Sequence, residues 1–81
     1  MTKKQLIVKL AMIVSTLGET TEPGQSVPAT MIYLALGSDY SEYQAISGVG
    51  ASVGWLKLTA ETVSLTPAGR EKAKAFQALG V

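Results

Sequence analysis

The chain has 81 residues, 47% of them hydrophobic and 16% charged, with a formal net charge of +1. That length holds one small domain, residues 1–81, and the composition is too apolar for a disordered chain. It contains no cysteine and no histidine, which excludes disulfides, Cys/His zinc sites and catalytic sets built on a thiolate or an imidazole, and fits the cytoplasm.

Leu6, Leu10, Ile13, Val14 and Leu17 recur on one face of a helix over about 3–17. Thr2 and Gln5 have the spacing of a capping box, Lys3, Lys4, Lys9 and Ser15 are left to face water, and Gly18 suits the end of the helix. The same segment places two lysines before an apolar run, as a secretory signal does. Lys9 inside the run, the helical periodicity and the lack of an A-x-A site argue against a signal, and the run is too short and too charged to span a membrane. Residues 18–26 have the composition of an exposed loop.

Pro28 suits the first turn of a second helix, 28–36, which is apolar on nearly every side and therefore expected to be largely buried. Residues 37–39 break it, and Ser38 or Asp39 can cap a third helix over 40–53 with Tyr43, Ile46, Val49 and Val53 as its inner stripe. Gly54 ends that helix. The period then changes: residues 55–59 and 63–66 alternate apolar and polar as a hairpin does, turning at 60–62. Leu56, Leu58, Val63 and Leu65 take its inner side, while Lys57, Thr59 and Ser64 face out. Thr66 and Pro67 open a last helix with Ala73, Phe76 and Leu79 inward.

The class is α+β: three helices, a two-stranded hairpin and a C-terminal helix. The stretch GASVGWLKLTAETVSLTPAGREKA, with Gly54-Trp55-Leu56 closing one helix and Leu65 to Arg70 opening the next, resembles the end of a winged helix-turn-helix domain. MarR-like and PadR-like transcriptional regulators look similar in this region. The resemblance implies a small regulator that binds duplex DNA as a dimer. The third helix is then the recognition element, with Ser41, Tyr43, Gln44, Ser47, Gly48 and Ser52 as contact candidates, joined by Lys57 and Thr59 of the wing.

Charge opposes that reading. Residues 27–53 hold Asp39 and Glu42 but no lysine or arginine, whereas affinity for DNA comes largely from cations that neutralise phosphates. The surplus of apolar residues also points to a surface shared with a partner. The alternative is a winged helix used for protein–protein contact or dimerisation, with Ser47, Gly48, Ala51 and Ser52 as a smooth, uncharged face. A nucleotide loop at Gly48, Gly50 and Gly54 is disfavoured: no strand precedes it, no Lys-Ser/Thr follows, and its spacing is not that of the dinucleotide fingerprint. Tyr33, Tyr40 and Tyr43 are better read as core or edge packing than as base-stacking platforms, Trp55 as a core anchor, and Asp39 with Glu42 as helix capping. No catalytic residues, metal site or cofactor are expected.

Overall fold

The computed structural model describes residues 2–80; Met1 and Val81, the ends of the expected domain, lie outside them. The order is α1 (Lys3–Thr20), β1 (Ser26–Pro28), α2 (Ala29–Leu36), α3 (Tyr40–Ser52), β2 (Leu56–Leu58), β3 (Thr62–Leu65) and α4 (Pro67–Ala78). The fold is thus a small α+β structure with four helices and one antiparallel sheet, ordered β1-β3-β2. No helix among the described residues is long and apolar enough to cross a membrane.

Local chemistry starts each long helix. The Thr2 hydroxyl accepts from the Gln5 amide and the Gln5 side chain accepts from the Thr2 amide, closing the expected capping box. Asp39 accepts from the Glu42 amide at the head of α3, and Thr66 from the Gly69 amide at the head of α4. Each cap satisfies an amide that the helix itself cannot.

Gly18 is a correction. α1 runs through it to Thr20, and a Cβ there would lie 2.6 Å from the Ala73 Cβ of α4. Its glycine serves close helix packing rather than termination. Ser15, expected to face water, is buried on the same side, and the Gln77 amide donates to its carbonyl oxygen at 3.4 Å.

Strand β1 is a second correction, because Ser26 was expected to end a loop and Pro28 to begin a helix. Val27 pairs with Val63 on the outer side of β3. Pro28, which cannot donate to a ladder, is tolerated because this strand is an edge. It precedes α2 rather than entering it, and the Ala29 amide donates to the Glu61 carbonyl at 2.8 Å.

The core is built from Leu10, Ile13, Val14 and Leu17 of α1, Ile46 of α3, and Leu56, Val63 and Leu65 of the sheet. Burial differs from expectation on two helices. In α3 the inner set is Tyr43, Ile46, Ser47 and Gly50, while Val49 and Val53 are exposed. The stripe is rotated because Gly50 is the point of closest approach: a Cβ there would fall 2.5 Å from Leu56 Cδ1 and 2.9 Å from Leu10 Cδ1. In α2 only Ile32 is buried; Met31 and Leu34 stand 61% and 67% exposed, because the helix packs by a single face.

The hairpin turns at Ala60–Glu61, one residue shorter than the expected 60–62, with the Thr59 amide donating to the Thr62 carbonyl at 3.0 Å. Leu56, Val63 and Leu65 are buried as expected, but Leu58, nearer the tip, is partly exposed. At its other end the hairpin is clamped to α4. The Thr66 amide donates to the Trp55 carbonyl and the Thr66 hydroxyl to the Gly54 carbonyl. Gly54 takes φ +82°, the left-handed turn expected of it. Trp55 meets Phe76 edge-on at 5.9 Å, and the Lys72 ammonium sits 5.2 Å above the indole. Phe76 is therefore packed inward, whereas Leu79 lies past the end of α4 and is exposed.

Candidate interaction surface

Of the eight residues singled out from the sequence, the structure leaves Ser41, Gln44, Gly48 and Ser52 exposed on the outer side of α3, with Ala45 and Val49 between them. No charged side chain interrupts this face between Glu42 and the end of the helix. Nothing lies within 4 Å of a Cβ built on Gly48. Unlike Gly50, it answers to no neighbour within the chain.

Tyr43 and Ser47 are corrections. Both are buried on the inner side of α3, and the Ser47 hydroxyl donates to the Tyr43 carbonyl at 2.8 Å within the helix. They follow Ile46 and Gly50 into the core. Burial pushes the Tyr43 phenol above its ordinary value; the Ser47 hydroxyl acts in the opposite sense, and Tyr40 adds to the rise.

One edge of Tyr43 remains part of a groove. Between the first half of α3 and the hairpin tip lies a depression of about 280 Å³, lined by Tyr40, Tyr43, Gln44, Ser47, Leu58 and Thr59 among others. A second depression of about 320 Å³ continues past Tyr33 and Tyr40 to Ala60 and Glu61. The three tyrosine rings form one cluster, with centroids 5.8 to 6.2 Å apart. Tyr43 lies in the core and Tyr33 packs against it, as the sequence suggests, whereas Tyr40 is 51% exposed. The sequence reasoning missed Tyr40 and Leu58 as groove walls; their partial exposure is decided by the hairpin, which no local pattern reports.

Lys57 does not join this groove. It pairs in register with Ser64, which pairs with Ser26, so all three project from the opposite side of the sheet. There Lys57 borders a separate hollow with Pro23, Gly24, Pro67 and Arg70. The hairpin thus separates its two candidates: Thr59 goes to the α3 groove and Lys57 to the far face.

The other cations are elsewhere or engaged. No lysine or arginine occurs between Leu10 and Leu56. Lys9 pairs with Glu42 at the head of α3. This hydrogen bond, opposed by burial and helped by the Lys9 charge and the Ser38 hydroxyl, holds the Glu42 carboxyl below its ordinary value. Arg70 donates to the Thr21 carbonyl, the Thr21 hydroxyl and the Glu22 carbonyl, tying down the end of α1. Lys72 covers Trp55, and Lys74 pairs with Glu71. Among the described residues no group of three His, Cys, Asp or Glu side chains is placed to hold a metal ion.

No known family model, curated protein or solved structure matches the chain.

Proposed function

We propose that the chain is a winged-helix domain used for protein recognition, with the outer face of α3 and the adjoining tyrosine-lined groove as its contact surface. The element order supports the winged-helix reading: three helices, a hairpin packed beside the third, and a short edge strand before the second. The observation that carries the choice of partner is electrostatic. The helix a DNA-binding relative would insert in the groove has an uncharged outer face, and the nearest exposed cation on the hairpin points away from it. Base contacts from Ser41 and Gln44 without phosphate contacts give little affinity. A face of serine, alanine, glycine and valine suits close approach by another polypeptide, whose backbone polar groups Gln44, Ser52 and Thr59 can meet.

Fluorescence anisotropy of a labelled generic duplex at low salt tests this. The protein reading expects no binding up to about 100 µM, the weak end of non-specific DNA affinity. Micromolar binding that weakens steeply with added salt refutes it and restores the regulator reading. In a second arm, a photo-cross-linking residue at Ser52 captures a protein partner and one at Lys74 does not, with Gly48→Leu abolishing the Ser52 adduct. Equal capture from both positions counts against the α3 surface.

A further inference from the structure

The ridge of α1 turned away from the core carries two half-exposed apolar side chains at its middle. Val8 and Met12 lie one turn apart and stand 48% and 45% exposed. Together with Lys4, Gln5 and Lys9 they border a shallow depression of about 280 Å³. At 100° per residue Lys4, Val8, Met12 and Glu19 fall within an arc of about 80°, opposite the buried Leu10 and Leu17.

The charges on this ridge are arranged about its apolar centre. Lys4 lies about 12 Å before Met12 along the helix axis and Glu19 about 10.5 Å after it, at 1.5 Å per residue. Neither has an ion-pair partner among the described residues. Lys9, the third cation of the helix, is already taken by Glu42. A second α1 laid antiparallel, with the two Met12 side chains on the two-fold axis, therefore sets each Lys4 against the other copy's Glu19. Val8 then covers the same turn as the other copy's Thr16. A parallel arrangement would oppose Lys4 to Lys4 and Glu19 to Glu19.

We infer that the outer ridge of α1 is a self-complementary seat for a second copy of this chain, packed antiparallel across Met12. A two-fold interface must use the same patch on both subunits, and a patch positive at one end, apolar at its middle and negative at the other meets that condition. An 18-residue helix is about 27 Å long, so the contact belongs with small interfaces, below about 1,200 Å² in total. The dimer is accordingly a weak one, in the micromolar range. It shares no residue with the α3 groove, so each dimer presents that groove twice.

Sedimentation equilibrium of the full chain, from about 10 µM to about 1 mM at low salt, measures the association. Lys4→Glu and Glu19→Lys are each expected to weaken the dimer about tenfold, since each turns two facing attractions into repulsions. The double variant Lys4→Glu/Glu19→Lys restores affinity to within about threefold of the original. Circular dichroism checks that all three keep the fold; both positions are exposed. The native chain has no cysteine, so Met12→Cys gives a disulfide-linked dimer on mild oxidation only if the two positions meet. A native chain that stays monomeric at about 1 mM overturns the inference, as does a dimer indifferent to the charge reversals or one the double variant does not rescue. Gly48→Leu leaves this dimer intact; loss of dimerisation in that variant places the contact on α3 and overturns the α1 seat while leaving the α3 surface as an interface.

Discussion

Two glycines two residues apart in α3 are predicted to respond oppositely to the same substitution. Replacing helix-interior glycine by alanine gains about 1 kcal/mol from reduced backbone freedom in the unfolded chain and better helix propensity. At Gly48 nothing opposes that gain, because the space around a new Cβ is empty to 4 Å. Gly48→Ala is therefore expected to stabilise by about 1 kcal/mol and to raise Tm by roughly 4–8 °C for a domain of this size. At Gly50 a new Cβ lies 2.5 Å from Leu56 Cδ1 and 2.9 Å from both Leu56 Cγ and Leu10 Cδ1. Both leucines are core residues, 3% exposed, and moving them disturbs packing at a cost of about 1–3 kcal/mol. Set against the same propensity gain, Gly50→Ala falls between neutral and about 2 kcal/mol destabilised. Thermal and urea unfolding of both variants, followed by circular dichroism, give the comparison. If Gly50→Ala proves as stabilising as Gly48→Ala, the close approach of α3 to Leu10 and Leu56 is wrong, and with it the account of why the buried stripe excludes Val49 and Val53.

Gly69→Ala should be more damaging than either, by about 3 kcal/mol or more, because its Cβ would lie well inside contact distance of the Trp55 carbonyl oxygen, which is backbone and cannot swing aside; urea unfolding reads the loss directly. Thr66→Ala removes the cap on the Gly69 amide and the hydroxyl bond to Gly54, with an expected cost of about 1–2 kcal/mol and a lower urea midpoint at unchanged m-value. Glu42 has a carboxyl lowered in the folded state, chiefly by Lys9, so its contribution is complete above the ordinary carboxylate range and is lost as pH falls through that range toward the folded value. In Tm measured against pH, Glu42→Gln should lose part of the acid-side decline while differing from the native chain mostly at neutral pH; an unchanged acid limb refutes the pairing.

What could be read from the sequence was what is decided within a few residues. The caps at Thr2, Asp39 and Thr66 each complete their hydrogen bonds within three positions, so spacing alone located those at Thr2 and Thr66 and narrowed the third to Ser38 or Asp39, between which the structure selects Asp39. Gly54 was likewise legible, since a helix giving way to an alternating strand needs a left-handed turn. Strand β1 was not legible: Val27 becomes a strand residue only because Val63 is beside it, and a three-residue strand has no periodicity to display. The rotation of α3 was hidden for a related reason. Hydrophobicity ranks Val49 and Val53 above Gly50, but the core selects Gly50 for its lack of volume. The contact face was partly visible. Ser41, Gln44, Gly48 and Ser52 are exposed, whereas Tyr43 and Ser47 went inward with the rotated stripe. The outward side of Lys57 was legible from its place between Leu56 and Leu58, but which groove it misses depends on where α3 packs.

Arg70, Ala73 and Gln77 grip α1 at Thr21, Gly18 and Ser15 in turn, across separations of 49 to 62 residues for the two hydrogen-bonded pairs. Such distant pairings are made only after the intervening chain has been drawn in. During synthesis α1 is therefore available long before the helix that covers it, with Ala11 and Ser15 still exposed to solvent. A chain cut before Pro67 is expected to remain in that condition, its first helix formed at best transiently and open to proteolysis. The last turn of α1 is thus completed from a distant part of the chain, by the hold of Arg70 on the Thr21 and Glu22 carbonyls.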